Sequence, residues 1–453
     1  MQQVLGADEA RALCQAIEGS ASPVSIRLNP SKLPAHLPSE VESEVPWCDM
    51  GRYLERRPSF TADPLLHAGT YYVQEASSMF IAQAYRTIAR DFEPQRMLDL
   101  CAAPGGKSTL WRSLLPEGAL LVANEPIRQR AQILAENLTK WGHPDVVCTS
   151  AYPAEFSHLT GFFDVVAADV PCSGEGMFRK DRGAVDEWSS EAVAACAERQ
   201  WGIVCDIWAT LRQGGYLVYS TCTYNQEENE HLVQRICTEL GAEPVAIDCS
   251  EDWHISSCTT PAQLPVYHFF PHRTKGEGLF LALLRKTAEA PQMRSAKKKK
   301  GERGGGRSRQ APVQHASKVA HWLAADSAYR IVRPDEAHLV ALRESLADDI
   351  TLVCSQVRAL TAGVLLAEEK GRKLIPQHAL ALSTELAPDA FPRVELTEEE
   401  ALSYLRREVL TLAPEVPRGY VVATYEGHPL GFLNNLGSRA NNLYPQEWRI
   451  RNL

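Results

Sequence analysis

The chain has 453 residues, with 47 Lys and Arg against 56 Asp and Glu, a formal net charge of −9 and 45% hydrophobic residues. That length has room for two to four domains with their own cores, and so ordinary a composition confines disorder to local stretches. The acidic total excludes indiscriminate nucleic-acid binding, and no apolar run approaches the roughly 20 residues needed to cross a bilayer.

Residues 1–20 are polar and amphipathic with no signal-peptide pattern, so the protein is expected in the cytoplasm, its 12 cysteines reduced. No two form a C-x-x-C pair, and the spacings of Cys237, Cys249, His254 and Cys258 fit no common zinc template. No metal is expected.

Residues 1–70 read as a small N-terminal α+β module, with an alternating strand at 24–29 stopped by Pro30. Residues 71–79 lead into an apolar helix through Arg90, with Gln74 opening a polar lip. From Arg96, strand and helix patterns alternate, the mark of an α/β doubly wound parallel sheet within a domain of residues 71–290. Strands are predicted at 97–100, 120–125, 146–149, 163–169 and 216–220, with two more near 244–248 and 278–285. Helices are predicted at 127–141, closed by Gly142, at 190–211, closed by Gly214 and Gly215, and at 227–240.

The stretch 96–109, R-M-L-D-L-C-A-A-P-G-G-K-S-T, reads as strand, tight loop, helix. Glycines there let the backbone approach a ligand, and the following helix start favours polar or anionic groups. Residues 101–108 would be a phosphate-binding P-loop were position 101 glycine, with the strand ending in Asp169 as magnesium partner, but position 101 is cysteine. Glu125 instead closes a second strand about twenty residues past the loop, where a Rossmann-like site holds ribose hydroxyls. An adenosyl-type cofactor follows.

Ligands of such sheets sit beyond the carboxyl ends of the strands, where Cys101, Glu125, Asp169, Cys172 and Cys222 all fall. Two cysteines just past strand ends point to covalent chemistry with a thiol nucleophile. Carbon 5 of cytosine is too weak a nucleophile to take a methyl group directly. Addition of a thiolate to carbon 6 makes it an enamine carbon, provided an acid such as Asp169 supports ring nitrogen 3.

The motifs D-L-C-A-A-P-G-G-K-S, D-V-P-C-S-G-E-G and S-T-C-T-Y-N-Q-E-E-N resemble those of Sun-type RNA cytosine-5 methyltransferases. S-I-R-L-N, Y-Y-V-Q-E-A-S-S-M and G-E-G-M-F-R-K narrow the resemblance to the bacterial RsmF-type ribosomal RNA enzymes. It implies a class I, Rossmann-like methyltransferase fold and S-adenosyl-L-methionine as cofactor. Cys222 would be the nucleophile and Cys172 would help expel the methylated RNA; DNA-type enzymes attack with the cysteine at the Pro-Cys position, so this assignment comes from the family. Cys101, Ala102, Ala103, Pro104, Gly105, Gly106 and Lys107 would wrap the methionine part of the cofactor and Glu125 the ribose. Asp169 would contact both cofactor and base, and Lys107 would orient the catalytic network. Arg130 would join the cofactor site; its alternative is a solvated helix arginine. The family often carries an aspartate near the adenine where this chain has Thr149-Ser150-Ala151, leaving that contact to Ser150 or to backbone groups. The implied substrate is 16S ribosomal RNA of the small subunit, with no membrane and no stable protein partner. The alternatives are a transfer RNA substrate, or a non-catalytic RNA-binding assembly factor.

Arg294, Lys297, Lys298, Lys299, Lys300, Arg303, Arg307 and Arg309 crowd a Gly-rich linker at 291–311, suited to phosphate contact. In a first C-terminal domain, 312–390, Leu339, Leu342 and Leu346 are spaced like a helix face. Residues 391–453 read as a mixed module, with a helix through Leu402, Leu405 and Val409, a strand at 419–425 and a turn at Gly431-Phe432. Its close, N-N-L-Y-P-Q-E-W-R-I, resembles the PUA-like end of RsmF-type proteins and implies RNA docking with Arg439, Arg449 and Arg451 as candidates.

Overall fold

A computed structural model describes residues 5–19, 21–288, 315–324 and 328–451, so the basic linker of residues 291–311 lies outside the described residues. After a helix, Ala7–Gly19, the N-terminal sheet runs in the order Val41–Glu44, Gly51–Leu54, Val24–Leu28, Tyr71–Val73. Its last strand lies beyond residue 70. Ile26 and Leu28 enter a core with Leu54, Phe60 and Tyr71. On the opposite face Arg27 reaches the central domain, donating from Nε to Gln74 Oε1 at 2.7 Å and from Nη2 to Thr109 Oγ1 at 2.6 Å. Gln74 is therefore no exposed lip. It is buried, because a buried guanidinium requires acceptors.

The central domain carries β1 (Arg96–Asp99), α1 (Gly106–Leu114), β2 (Leu120–Asn124), α2 (Arg128–Trp141), β3 (Val146–Thr149) and β4 (Phe163–Asp169). It continues with α3 (Ser190–Trp208), β5 (Leu211–Thr221), α4 (Glu230–Leu240), β6 (Ala242–Pro244), β7 (Val266–Phe269) and β8 (Leu279–Lys286). The strands β5-β4-β1-β2-β3 are parallel, and their order reverses between β1 and β4, the crevice where such sheets bind ligands. The flanking strands β6, β7 and β8 are antiparallel, so the nine-stranded sheet is mixed, its parallel part flanked rather than continued.

Gly214 and Gly215 do not close α3, which ends at Trp208; β5 already begins at Leu211 and runs through them. A Cβ on Gly215 would sit 2.6 Å from the Asp164 carbonyl oxygen, so glycine is needed where β5 shifts register against β4. The helix predicted from residue 227 starts at Glu230, because the preceding polar residues form the site loop.

The last strand of the central sheet comes from the C-terminal third: β9 (Ala359–Ala362) pairs antiparallel with β3 and covers its edge. Leu339 and Leu342 lie on a strand, His338–Arg343, and Leu346 just before the helix Ala347–Gln356, so their helical spacing misleads. That strand is covered on both faces. Leu339 and Ala341 enter a local core with Trp322 and Leu366, while Val340 and Leu342 join the central core with Ile350 and Val353. Beyond it lies a sheet of Arg393–Glu395, Gly419–Tyr425, His428–Asn435 and Ala440–Asn442. The helix Glu398–Leu405 opens with a Thr397/Glu400 capping box and stops before Val409, which is exposed. Gly431-Phe432 is strand, not turn; Gly431 (φ +146°) allows close packing of Tyr404, whose hydroxyl would stand 2.2 Å from a Cβ. Among the described residues no helix is long and apolar enough to cross a membrane.

Candidate active site

The loop after β1 is held from its outer side. Leu100 donates to the Ala167 carbonyl at 2.9 Å and Ala102 to that of Asn124 at 2.8 Å, fixing the chain between β4 and β2. Asn137 Nδ2 donates to the Pro104 carbonyl at 2.8 Å, Arg130 Nη2 to that of Ala103 at 3.1 Å and Arg27 Nη2 to that of Gly106 at 3.3 Å. Gly105 (φ +118°) takes the left-handed turn into α1, whose first amides have no intrahelical acceptor. Glu125 is buried at the end of β2, one oxygen accepting from the Ile127 amide at 3.0 Å and the other 3.4 Å from Arg130 Nη1. A glycine-bottomed turn, free helix amides and a buried carboxylate with spare lone pairs fit an adenosyl cofactor's polar groups. Arg130, its side chain half exposed, touches both the loop and Glu125. Burial, then the charges of Asp169, Asp99 and Glu125, push the Cys101 thiol well above its ordinary pKa, so it stays protonated. The Ser150 amide donates to the Arg358 carbonyl at 2.9 Å, while its Oγ lies 3.4 Å from the carbonyl of Pro126, next to Glu125.

Asp169 and Ser220 are register partners on adjacent parallel strands, so the residues just past both strand ends emerge side by side. The sulfurs of Cys172 and Cys222 lie 3.2 Å apart. Asp169 Oδ1 accepts from Ser220 Oγ at 2.7 Å and Oδ2 from Lys107 Nζ at 2.9 Å. Burial opposes the Lys107 charge, yet the Asp169 carboxylate outweighs it and holds its pKa above the usual lysine value. The hydrogen bond between the thiols, with burial, raises Cys172 well above the normal thiol range; the same bond lowers Cys222. Cys222 also lies beside the ammonium–carboxylate pair of Lys107 and Asp169.

A set of polar side chains that the sequence reading passed over binds the two thiol loops together. Ser173 Oγ and Thr223 Oγ1, one residue past each cysteine, are 3.0 Å apart. Asn225 Nδ2 lies 3.0 Å from Thr223 Oγ1 and 2.8 Å from Glu228 Oε1. Glu175 Oε2 accepts from the Tyr224 amide at 2.6 Å. The signal was the polar run N-Q-E-E-N directly after Thr-Cys-Thr-Tyr.

Among the described residues Cys237, Cys249, His254 and Cys258 form no metal-ligating group; Glu117, His143 and Asp145 do cluster, but Arg343 already bonds Asp145 at 2.7 Å. A groove of about 1340 Å³ between α2, β3 and the C-terminal strands includes none of the predicted site residues.

Three families match successive parts of the chain: the N-terminal domain of 16S rRNA methyltransferase RsmF over residues 1–76, 16S rRNA methyltransferase RsmB/F over 88–285, and the methyltransferase RsmF PUA domain over 391–450. Ribosomal RNA small subunit methyltransferase F of Klebsiella pneumoniae (strain 342) is 33% identical over 414 residues, covering 89% of this chain and 84% of that protein. The protein of the same name from Escherichia coli O139:H28 is 34% identical over 422 residues, with the same coverage. In fold, the chain is similar to NSun6 from Pyrococcus horikoshii with SFG (TM-score 0.52, 18% identity, 64% of this chain and 97% of that one). It is likewise similar to a methyltransferase homolog protein from the same organism (TM-score 0.51, 24% identity, 63% and 92%). With its glycine loop, strand-end acid and paired rim thiols, the chain belongs to the RsmF-type methyltransferase family and is an S-adenosylmethionine-dependent methyltransferase.

Proposed function

We propose that the protein methylates carbon 5 of cytosine in 16S ribosomal RNA of the small subunit, through a covalent adduct at Cys222. The observation that carries this reading is the 3.2 Å sulfur pair beside the Lys107–Asp169 bridge, at the rim where the sheet order reverses. When bound, S-adenosylmethionine supplies an electrophilic methyl group. Cys101 to Lys107 wrap its methionine part, Glu125 takes the ribose hydroxyls and Arg130 braces both.

The Cys222 thiolate adds to carbon 6 of a cytosine held out of its stack, which makes carbon 5 a competent nucleophile. Asp169, fixed by Lys107 and Ser220, hydrogen-bonds the ring edge as charge develops at nitrogen 3. After methyl transfer the carbon 5 proton is lost to a base, and Cys222 leaves with help from Cys172. The domains divide the labour: 71–290 carries the chemistry, while 1–70 and the PUA-like 391–453 dock RNA by shape and phosphate contact. Arg439, Arg449 and Arg451, all exposed, are the cations offered for this. The substrate assignment rests on the names of the relatives.

Two variants test the reading. Cys172→Ala is expected to accumulate a covalent protein–RNA adduct on denaturing gels; Cys222→Ala forms none and loses methyl transfer. Adduct formation by Cys222→Ala would overturn the assigned roles. Bisulfite sequencing of small-subunit RNA from a strain lacking the protein should show a lost 5-methylcytosine, and an unchanged pattern would overturn the substrate.

A further inference from the structure

Two thiols in mutual contact form a symmetric pair: either sulfur is a possible donor, and the pair alone does not choose which one ionises. The surrounding fixed charges are not symmetric. On the Cys222 side, Lys107 acts on Cys222 and is bonded at 2.9 Å to Asp169, so the carboxylate nearest that sulfur has its own cation. On the Cys172 side stands Glu228, fully buried. Its Oε2 accepts from Gln200 Nε2 at 2.7 Å and from the Ser173 amide at 3.0 Å, and its Oε1 from Asn225 Nδ2 at 2.8 Å. Every partner is a neutral donor, and both oxygens serve as acceptors. No Lys, Arg or His pairs with it among the described residues. Gln200 also donates to the Pro171 carbonyl at 3.0 Å, so the Glu228 network grips the residues on either side of Cys172.

We propose that Glu228 is the positioning residue that gives the two sulfurs their roles: its unmatched negative charge keeps the proton on Cys172 and so makes Cys222 the nucleophile. The idea rests on the thiol chemistry proposed above and adds a reason why the second cysteine attacks and the first does not. The groups facing Cys172 are Cys222, Glu228 and the Tyr219 hydroxyl; those facing Cys222 are Cys172, Asp169, Lys107 and the Tyr224 hydroxyl.

The test is the pH dependence of iodoacetamide labelling at each thiol, read by peptide mass spectrometry on the RNA-free protein. In the unmodified protein Cys222 should label at lower pH than Cys172. Glu228→Gln should speed Cys172 labelling at pH 8 about tenfold and narrow the gap, while Glu228→Asp, which keeps the charge, retains most of the gap. A merely structural loss would change labelling of both thiols together, whereas loss of the charge speeds Cys172 alone. Cys172 labelling first in the unmodified protein overturns the proposal even if Glu228→Gln fails to fold. So does a folded Glu228→Gln, checked by its melting temperature, in which the labelling order and gap are unchanged. Because no RNA is present, a wrong labelling order counts against Glu228, whereas absence of methylated cytosine counts against the proposed function.

Discussion

At the carboxyl rim of the central sheet the acidic side chains are tied by hydrogen bonds: the buried Glu228 accepts from three side-chain or backbone donors, and the half-buried Asp169 from Lys107 and Ser220. The C-terminal module handles buried polarity differently. Among its contacts with the rest of the chain is an aromatic cluster in which His378 meets Tyr444 and Trp448 edge-on, its ring nitrogens without a protein partner among the described residues and its pKa pushed down to about 3 by burial. Packing fixes the C-terminal module, whereas the rim holds charges in place at a cost in desolvation. Rim substitutions should therefore change chemistry and pH behaviour, and C-terminal substitutions stability and RNA affinity.

The largest expected effect is at the rim. Lys107→Met removes the cation bonded to Asp169 and should lower turnover on RNA about a thousandfold while the protein stays folded. A loss below tenfold would remove Lys107 from the catalytic network.

Asp99 comes next. Burial raises its pKa to about 7, against the lowering effect of its hydrogen bond from Ser108 Oγ. Its folded-state pKa thus lies above the unfolded one. The neutral acid is favoured by folding, and the stability it contributes is present below about pH 4 and lost as pH rises to about 7. Asp99→Asn cannot ionise, so urea denaturation should show a flatter pH profile over that window and a gain of about 2–4 kcal/mol at pH 7.5. An unchanged profile would mean that folding does not raise the Asp99 pKa.

In the C-terminal module, a methyl group at Gly431 would stand 2.2 Å from the Tyr404 hydroxyl and 2.6 Å from His378 Nδ1. Gly431→Ala should cost about 1–3 kcal/mol of stability by calorimetry and leave S-adenosylmethionine affinity unchanged. Weakened cofactor binding would show that the two regions are coupled. The smallest effect belongs to Arg449→Ala, which should weaken RNA binding about fivefold and reduce the salt slope by about one, with turnover at saturating RNA unaltered. An unaltered salt slope would exclude a phosphate contact at that position.

Legibility follows the same division. The rim residues Cys101, Glu125, Asp169, Cys172 and Cys222 stood out because each follows a short apolar strand, and parallel strands send all such loops to one edge. The C-terminal third misled. Leu339 and Leu342 have a helix-like spacing but sit on opposite faces of a strand covered on both sides, where local periodicity carries no information. Gln74 read as surface because its partner, Arg27, comes from another module. Glu228 looked like an ordinary acid at a helix start, and only the arrival of Gln200 and Ser173 makes it a buried carboxylate.

The amino-acid sequence alone determined the strand–loop–helix order of the central domain, the cofactor loop and the candidate thiols, because these depend on short-range pattern and on the one direction in which parallel strands end. Tertiary structure decided the 3.2 Å approach of the two sulfurs, the bond from the Ser173 amide to the buried Glu228 side chain and the capture of Ala359–Ala362 as an edge strand of the central sheet. Those depend on register and on contacts between residues dozens to hundreds of positions apart, which no local pattern encodes.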